Sequence, residues 1–522
     1  MTGVGGLLRF HLRRDWLMAL WWCLGLTLLY WSQAVSVKGL YATQAEFDKA
    51  AASMEGNAAF IAMAGPARAL NTVGGQVVWQ ASAFGAIAAG LMSMFLIGRH
   101  TRAEEESGRD ELVRSGVVGQ QAPLVAAMIV AMAANLVAGL LVALSLMSVP
   151  LDAADSLATG LGMTFCGWLF AATALVAAQL TQSTRAMYGI AGLVIAVAYV
   201  LRAIGDVGDP FLSWLSPIGW YQAMHPFSRL RWWPAVLLIA GTAVAAMAAY
   251  RLFVRRDIGG GLLADRPGPA RAGAALASGF GLAWRLQRGS VIGWTIGMFL
   301  GGLSYGSIGN DIGDLVGDGE FAQDVLVQKG DLVDGFYATA ILMLAIIAAG
   351  FSISSALRPR GEEDGGRGEP LLATGLSRSA WLGGHVAVTV LGTLLVLVAS
   401  GLGLGVGNAM VTGDGGAVVR LGVPVLAQLA PVLVLSGLAR LLYGVAPRLA
   451  QLAWVGLVLA FVVMLFGELL RLPQWLQDLS PFDHLAMVPA EDFRVVPVVV
   501  VALVAVALSA AGQLAFRRRD VG

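Results

Sequence analysis

The sequence has few charged residues for its length. Only 13% of its 522 residues are Asp, Glu, Lys or Arg, whereas 57% are hydrophobic. A soluble domain carries about 25% charged residues, so this chain has too little polar surface to cover a water-soluble fold. The net charge of +1 gives no indication of nucleic-acid binding. We therefore expect the excess apolar surface to face a lipid bilayer, and we expect no nucleic-acid partner.

Residues that carry catalytic or metal chemistry are also scarce. Cys23 and Cys166 lie inside apolar runs, and no two of the five histidines have ligand spacing, so neither a disulfide framework nor a metal site is predicted. The chain lacks a Gly-rich loop ending in Lys-Ser or Lys-Thr, which would hold nucleotide phosphates. We therefore expect no catalytic residue and no cofactor in this chain. Any ATP and Mg²⁺ that are used must bind to a separate polypeptide.

Long apolar segments are abundant instead. A membrane span needs about 20 apolar residues, each rising about 1.5 Å along the helix. Twelve segments of the sequence meet this requirement, at residues 16–35, 77–98, 121–149, 157–180, 187–205, 234–254, 291–309, 334–357, 381–411, 421–443, 450–470 and 495–516. The predicted fold is an all-α polytopic membrane protein with twelve transmembrane helices, placed in the bacterial inner membrane.

The basic residues indicate the orientation of these helices. Cytoplasmic loops hold an excess of Lys and Arg. With the N-terminus inside, most arginines fall on the inner side, and all three lysines (Lys38, Lys49 and Lys329) fall on the outer side. The inverted topology would reverse this distribution. Both termini are therefore predicted to be cytoplasmic.

Two predicted inner loops repeat one pattern. Residues Arg102–Glu111 read RAEEESGRDE, and residues Arg360–Glu369 read RGEEDGGRGE. The sequence Leu-Ser-Pro also recurs, at 215–217 and 479–481. Two matches in the same order indicate a duplication. Because each half holds an even number of spans, the repeats at 1–254 and 276–522 are predicted to be parallel, joined by a cytoplasmic linker at 255–275 rich in Gly, Pro and Arg.

The repeated loops are the clearest candidate for a partner site. A short helix with exposed Glu104, Glu105, Arg109 and Glu111 could dock into a groove on a cytoplasmic partner. An ordinary solvated loop is the alternative. The duplication favours a partner with two equivalent sites. The candidate contact residues are Arg102, Glu104, Glu105, Gly108, Arg109 and Glu111 in the first copy, and Arg360, Glu362, Glu363, Gly366, Arg367 and Glu369 in the second.

Other segments sit next to the predicted spans. Amphipathic stretches at about 5–15 and 278–290 precede the first span of each half and are predicted to be helices lying in the inner interface. Aromatic and proline-rich stretches precede the sixth and twelfth spans. They are either re-entrant caps over an outward exit or simple interfacial loops with an aromatic belt. The candidate cap residues are Pro217, Trp220, Pro481 and Phe482.

The twelve spans, the duplicated R-x-E-E-x-x-G-R-x-E loop and the Leu-Ser-Pro segments together resemble the type-2 ATP-binding cassette exporter permeases. The sequence looks most like the actinobacterial permeases typified by the tetronasin and polyketide-antibiotic exporters. The resemblance implies one fused chain on two ATPase subunits, with the repeated loops as coupling helices and the amphipathic stretches as elbow helices. It also implies a pathway lined by spans one, two, five, seven, eight and eleven. The candidate pathway residues on these spans are the aromatic residues Trp31, Trp79, Phe84, Trp294, Tyr305 and Tyr337.

The predicted function is the permease subunit of an ATP-driven exporter that moves hydrophobic or amphipathic small molecules, such as antibiotics or drugs, out of the cell. One alternative is an ion-coupled secondary transporter of the major-facilitator type, and another is a non-transporting membrane assembly subunit. Ion coupling usually needs ionisable groups near the bilayer midplane. Here the spans hold few, and those lie near span ends: Arg202, Asp206, Asp209, Arg440 and Glu468.

Overall fold

A computed structural model describes residues 2–40, 43–55, 58–257, 259–263, 270–308, 332–466 and 472–520. The secondary structure of these residues is helical, and none of them belongs to a β-strand. Among the described residues, twelve helical segments are long and apolar enough to cross a membrane. The predicted all-α fold with twelve candidate spans is therefore confirmed.

The first half contains six long helices. Three of them have an N-terminal cap formed by a polar side chain. Thr72, Asp152 and Ser183 accept hydrogen bonds from backbone N–H groups in the first turns of the second, fourth and fifth helices. The six are α1 (Val4–Leu40), α2 (Val73–His100), α3 (Ala122–Ser148), α4 (Ala153–Leu180), α5 (Thr184–Val207) and α6 (Trp233–Arg255). Short helices between them are Gln44–Glu55, Ala58–Ala64, Arg102–Glu106, Arg109–Arg114, Pro210–Ser213 and Pro217–Gln222.

The second half also contributes six candidate spans, built on α7 (Gly279–Ile308), α8 (Leu332–Ala356), α9 (Arg378–Thr412), α10 (Ala417–Val445), α11 (Ala453–Phe466) and α12 (Val495–Arg518). Helix α11 alone has 14 residues, and its candidate span, Pro447–Met464, includes the short helix that precedes it. Helix α10 is interrupted at Gln428, shortly before Pro431, which has no N–H to donate to the preceding turn. Shorter helices are Ala274–Ala277, Arg358–Asp364, Gly368–Leu372, Pro447–Leu452 and Gln474–Gln477.

The segments predicted as separate interfacial helices continue directly into α1 and α7. Residues 5–15 belong to the 37-residue helix α1, and residues 279–290 belong to the 30-residue helix α7. Neither helix contains a proline that would break it. At about 1.5 Å per residue, α1 is roughly 55 Å long, which exceeds the hydrocarbon core of about 30 Å. Within these two helices, elbow and span are therefore one continuous element.

The chain divides into two compact units. The described residues up to 263 belong to the first unit, and those from 270 onward belong to the second. The start of the predicted linker packs on the first unit, where Leu262 and Leu263 donate backbone hydrogen bonds to the carbonyls of Gln179 and Leu180. The described residues do not include the rest of the predicted linker at 264–269. They also do not include the end of the eleventh predicted span at 467–470, which contains Glu468.

Glycines bring α7 and α9 into close contact in the second half. A Cβ atom added to Gly302 or Gly306 would overlap the backbone of α9, and one added to Gly403 or Gly407 would overlap the backbone of α7. Helices in lipid associate through close packing, and small residues at the contact permit it. The glycine-rich composition therefore contributes directly to the packing of this half.

Candidate functional site

The first motif loop (residues 102–114) consists of two short helices joined by a glycine turn. Arg102–Glu106 forms the first helix and Arg109–Arg114 forms the second. Between them, Gly108 has a φ angle of 71°. This left-handed conformation carries little cost for glycine, whereas a Cβ atom would make it unfavourable. The glycine of the motif therefore allows the chain to turn sharply between the two helices.

The second motif loop (residues 358–372) has the same construction. Arg358–Asp364 forms its first helix and Gly368–Leu372 forms its second. Gly366, at the motif position of Gly108, has a φ angle of 66°. The repeat in sequence is thus also a repeat in backbone structure.

The second glutamate of each motif binds an arginine that directly follows the last helix of its half. In the first half, Glu105 Oε1 lies 2.5 Å from Arg256 Nη2, and Glu105 Oε2 accepts from Arg102 Nη1 at 2.8 Å. In the second half, the oxygens of Glu363 accept from Arg519 Nη2 at 2.9 and 2.6 Å. The glutamate side chains are 9% and 17% exposed, so water and salt screen these pairs less than surface pairs. Each motif loop is therefore fixed to the end of its half.

Sequence reasoning missed these two arginines. Each stands in a short repeated sequence, FVRRD at Phe253–Asp257 and FRRRD at Phe516–Asp520. The guanidinium of Arg256 lies 5.5 Å from the centre of the Phe253 ring, and that of Arg519 lies 5.4 Å from the centre of the Phe516 ring. These are cation–π distances. The F-x-R-R-D repeat at the end of each half was the signal that would have revealed them.

A buried arginine connects the first motif loop to further elements. Arg102 is fully buried, and its Nε and Nη2 donate to the carbonyls of Ala178 and Gly260 at 2.5 and 2.9 Å. Arg256 also donates to the carbonyl of Gly260 at 2.9 Å. The counterpart of Arg102, Arg360, instead contacts Asp364 within its own helix at 3.5 Å. The charge network around Arg102 therefore reaches α4 and the segment after α6.

The first glutamate of each motif is held by nearby arginines. Glu104 accepts from Arg14 of α1 at 2.6 Å. Glu362, which is buried, accepts from Arg367 Nε at 2.7 Å. This hydrogen bond, together with the charge of Glu362, raises the pKa of Arg367. In the first half, the corresponding residues are Arg109 and Glu104, and Arg109 Nη1 lies 3.7 Å from Glu104 Oε1. The motif thus folds back on itself more tightly in the second half.

The exposed face of each motif loop is smaller than predicted. Glu104 and Glu105 are mostly buried in ion pairs within the chain, so the expectation that they are exposed is wrong. The reason is that Arg14 and Arg256, both distant in sequence, reach them. Arg109 remains 62% exposed, and Arg367 remains 60% exposed. Glu111 and Glu369 are also exposed. The contact of these side chains with a partner stays a prediction.

A buried ionic cluster fixes the start of α1 to the end of α2. Asp15, which is 3% exposed, lies 2.8 Å from Arg99 Nη2 and 3.0 Å from His100 Nε2. The ring of His11 stacks on that of His100, with 4.0 Å between the centroids. Together with the Arg14–Glu104 pair, this cluster attaches α1 to the first motif loop.

The predicted pathway aromatics have different environments. Trp79 and Tyr337 are buried within their own halves, where their polar atoms donate to the carbonyls of Gly65 at 2.7 Å and Gly306 at 3.1 Å. These two side chains therefore do not face an open passage in this conformation. The other four are half-buried or exposed: Trp31, Phe84, Trp294 and Tyr305. Their place along a substrate pathway stays a prediction.

The predicted cap of the first half packs between helices. Pro217 is the first residue of the short helix Pro217–Gln222. In this helix Tyr221 is fully buried, and its hydroxyl lies 3.2 Å from the hydroxyl of Tyr30 in α1. Trp220 Nε1 donates to a backbone carbonyl within the same segment at 2.6 Å. The segment thus inserts side chains among the helices of its half.

The predicted cap of the second half also packs against helices of its own half. Pro481 and Phe482 lie in a turn, and Phe482 is 4% exposed. It packs in a cluster with Ala345 of α8 and Ala460 of α11. A role for either segment in closing an exit stays a prediction.

Comparison with known proteins gives two matches. The family model described as the C-terminal domain of the multidrug efflux system permease Rv1217c matches residues 276–517. Over its full length, the chain is similar to the multidrug efflux system permease protein Rv1217c of Mycobacterium tuberculosis. The two are 40% identical over 526 residues, which covers 100% of this chain and 95% of the relative.

Proposed function

Because the chain belongs to the Rv1217c family of multidrug efflux permeases, we propose that it is the membrane-spanning subunit of an ATP-driven exporter in the bacterial inner membrane. Its cargo is a hydrophobic or amphipathic small molecule, including drugs or antibiotics. ATP and Mg²⁺ bind to a separate ATP-binding cassette ATPase, two copies of which dock on the cytoplasmic side. Both termini of the permease lie on that side.

The observation that carries this proposal is the pair of matching motif loops. A coupling element must be attached firmly to the membrane helices and must also present a free surface to its partner. The Glu105–Arg256 and Glu363–Arg519 pairs supply the attachment. The exposed charged residues at the start of the second helix of each loop supply the free surface: Arg109, Glu111, Arg367 and Glu369.

The attachment suggests how force reaches the membrane. Glu105, in the motif loop that follows α2, binds the residue after α6, and Glu363, in the motif loop that follows α8, binds the residue after α12. When ATP binding brings the ATPase subunits together, a displaced loop pulls on both of its helices. The permease needs two conformations of similar free energy, and the ATPase shifts the balance between them. Cargo then gains access to the opposite side of the membrane.

Co-purification tests this proposal. The permease is expressed with a candidate ATPase encoded beside it, and complex formation and cargo-stimulated ATP hydrolysis are measured. Exchanging the exposed charges in both loops (R109E with E111R, and R367E with E369R) is expected to weaken the complex while leaving the permease folded. Arg420→Glu is the matched control, because Arg420 is exposed in the first turn of α10, at an end predicted to lie on the outer side. An unchanged complex in the fourfold variant would contradict the docking assignment.

Energy use is tested separately in cells. Efflux of a fluorescent lipophilic compound is expected to stop on ATP depletion and to survive an uncoupler while ATP is maintained. The reverse result would indicate an ion-coupled transporter and would overturn the proposal. This assay does not depend on which loop residues touch the ATPase.

A further inference from the structure

The first half contains a cavity of about 260 Å³ that the proposed export cycle does not use. It lies where the segment before α2 meets the segment before α6. A single buried water needs only about 10–15 Å³ of such space, so the cavity has room for a small polar group. Its lining includes the charged or titratable residues Arg68, Asp206, His225 and Arg231.

The charges around this cavity are unbalanced. Asp206 is already satisfied, since Arg202 Nη1 lies 3.4 Å from its Oδ2 and Ser213 Oγ donates to its Oδ1 at 2.6 Å. Arg202 is fully buried, and its Nη2 donates to the backbone carbonyl of Met63. The side chains of Arg68 and Arg231 make no hydrogen bond or ion pair with any residue that the structure describes. Two arginines thus line the cavity without a direct ion-pair partner among the described residues, and the nearby carboxylate of Asp206 is already bonded to Arg202 and Ser213.

The surroundings of these arginines favour an added anion. Burial lowers the pKa of Arg68, and the nearby charge of Arg231 lowers it further, although Asp206 opposes both effects. Burial, together with Arg68 and Arg231, lowers the pKa of His225 to about 4. His225 is therefore neutral at pH 7 and adds no positive charge, but its ring nitrogens can donate or accept a hydrogen bond.

One buried acceptor in the cavity wall also lacks a partner. Gln222 Nε2 donates to the carbonyl of Ala64 at 2.7 Å and to Ser82 Oγ at 2.9 Å. Gln222 Oε1 is buried, and within the described residues it accepts no hydrogen bond. An unpaired buried acceptor is unfavourable. A ligand hydroxyl beside an anionic group would satisfy it.

The backbone around the cavity is strained. Four non-glycine residues of the described chain have positive φ angles: Ala69 (47°), His225 (53°), Phe227 (59°) and Arg229 (76°). All four lie in the two segments that form the cavity wall. Such conformations are unfavourable for residues with a side chain, and they concentrate at ligand-binding sites. His225, one of these four residues, lines the cavity.

Exposed tryptophans lie beside the cavity. Trp214 lines it, and the ring of Trp214 stacks on that of Trp233 at the start of α6, with 5.3 Å between the centroids. Trp214, Trp232 and Trp233 are all exposed. Tryptophan is enriched where lipid head groups meet the hydrocarbon core. Basic pockets between transmembrane helices bind anionic head groups on the cytoplasmic side of membranes, and this pocket would do so on the predicted outer side.

We propose that this cavity binds the phosphate of an anionic phospholipid head group. Arg68 and Arg231 donate to the phosphate oxygens, and Gln222 Oε1 accepts from a head-group hydroxyl. The acyl chains leave past Trp214 along the lipid-facing side of α6. Inorganic phosphate shares the anionic chemistry but offers no apolar body for the tryptophans. The proposal concerns one half of the chain and does not depend on ATP coupling.

Lipid binding to the purified full-length chain tests the proposal. Phosphatidylglycerol in detergent is titrated and bound lipid is counted by native mass spectrometry, with phosphatidylcholine as the zwitterionic comparison. A hydrogen bond to a charged group contributes about 1.5–3 kcal/mol, so removing one arginine should weaken phosphatidylglycerol binding at least about tenfold. Arg68→Gln and Arg231→Gln are measured singly and together. Arg229→Gln is the control, because it removes a charge from the same loop without altering the cavity lining.

The outcomes separate the explanations. Loss of phosphatidylglycerol binding in the double variant, with binding retained by Arg229→Gln and by Arg68→Lys with Arg231→Lys, would support the proposal. The lysine variant also guards against simple misfolding, since it keeps both charges. Equal binding of phosphatidylcholine, or unchanged binding in the double glutamine variant, would overturn it. Tighter binding of inorganic phosphate than of phosphatidylglycerol to the same two arginines would assign the site to the free anion, contradicting the lipid source.

Discussion

The two halves share their motif loops but attach them to the rest of the half differently. In the first half, Arg14 and Asp15 near the start of α1 connect ionically to the loop and to the end of α2. In the second half, the start of α7 makes neutral contacts, with Gln287 Nε2 3.2 Å from His385 Nδ1 and Gln287 Oε1 accepting from Ser355 at 2.6 Å. In both halves, the second glutamate of the motif pairs with the arginine that follows the last helix. That pair is therefore the common feature of the repeat, and the attachment of the first helix is the variable one.

The opposite ends of the two halves differ more strongly. The first half has the basic cavity around Arg68 and Arg231. The second half has a cavity of about 210 Å³ beside its own cap segment, and the charged residues in its lining are Asp483 and Glu491. The two cavities therefore carry charges of opposite sign. The ends with the motif loops have kept matching chemistry, as expected if they face two copies of one partner. The other ends are free to recognise different molecules.

The largest effect is expected from Glu105→Gln in the first half. This change leaves Arg102 and Arg256, which are 0% and 4% exposed, without a carboxylate. Breaking a buried ion pair from one side costs about 3–5 kcal/mol. The melting temperature of the purified chain in detergent should fall markedly. Glu111→Gln, at an exposed position of the same loop, should leave it nearly unchanged; a similar fall there would show that the buried pairs are not the cause.

A smaller loss is expected from Glu363→Gln in the second half. Here the carboxylate has one arginine partner, Arg519, which is 17% exposed and so stays partly hydrated after the change. The hydroxyl of Tyr443 also loses its charged acceptor at 2.7 Å. The cost should be about 1–3 kcal/mol. If Glu363→Gln destabilised the chain as much as Glu105→Gln, the greater importance of the first-half network would be refuted.

These pairs also show where sequence reasoning succeeds and where it stops. Long apolar runs predicted the twelve spans, because hydrophobic length alone decides which segments can cross a bilayer. The motif spacing paired Gly108 with Gly366, and both adopt the same left-handed conformation. The burial of Glu105 was not predicted, since its partner Arg256 lies 151 residues away. Local sequence does not show which distant residue reaches a given carboxylate.

The basic cavity could not be predicted from the sequence for the same reason. Arg68 and Arg231 stand in two loops separated by several helices, and each resembles an ordinary interfacial arginine in the sequence. Only the fold brings them to one cavity. The aromatic and proline-rich character of the segment before α6 did indicate something unusual there, and Trp214 and Gln222 do line that cavity. Membrane orientation and the pathway aromatics remain predictions from sequence.

A modest dependence on pH is expected from the first-half cavity. The pKa of His225 is about 4 in the folded chain, below the ordinary value of 6.5. The unfolded chain therefore takes up the proton first as pH falls from 6.5 toward 4, and the folded state loses stability across that range. His225→Asn, which tolerates the positive φ angle, should remove this part of the decline. Melting temperatures at pH 7 and pH 5 measure it, and an equal decline in the variant would exclude His225 as the source.

The smallest effect is expected from a single charge reversal at the exposed face of a motif loop. Arg109 has only a distant contact with Glu104, so Arg109→Glu should weaken ATPase binding by about 0.2–1 kcal/mol, which is typical of an exposed pair, without changing the melting temperature. Arg367→Glu also removes the 2.7 Å bond to Glu362 and should lower the melting temperature as well. Affinity measured at low and high salt checks the first part, because screening should reduce the loss. A loss that does not change with salt would mean that Arg109 acts by packing, and the two loops would then dock by different chemistry.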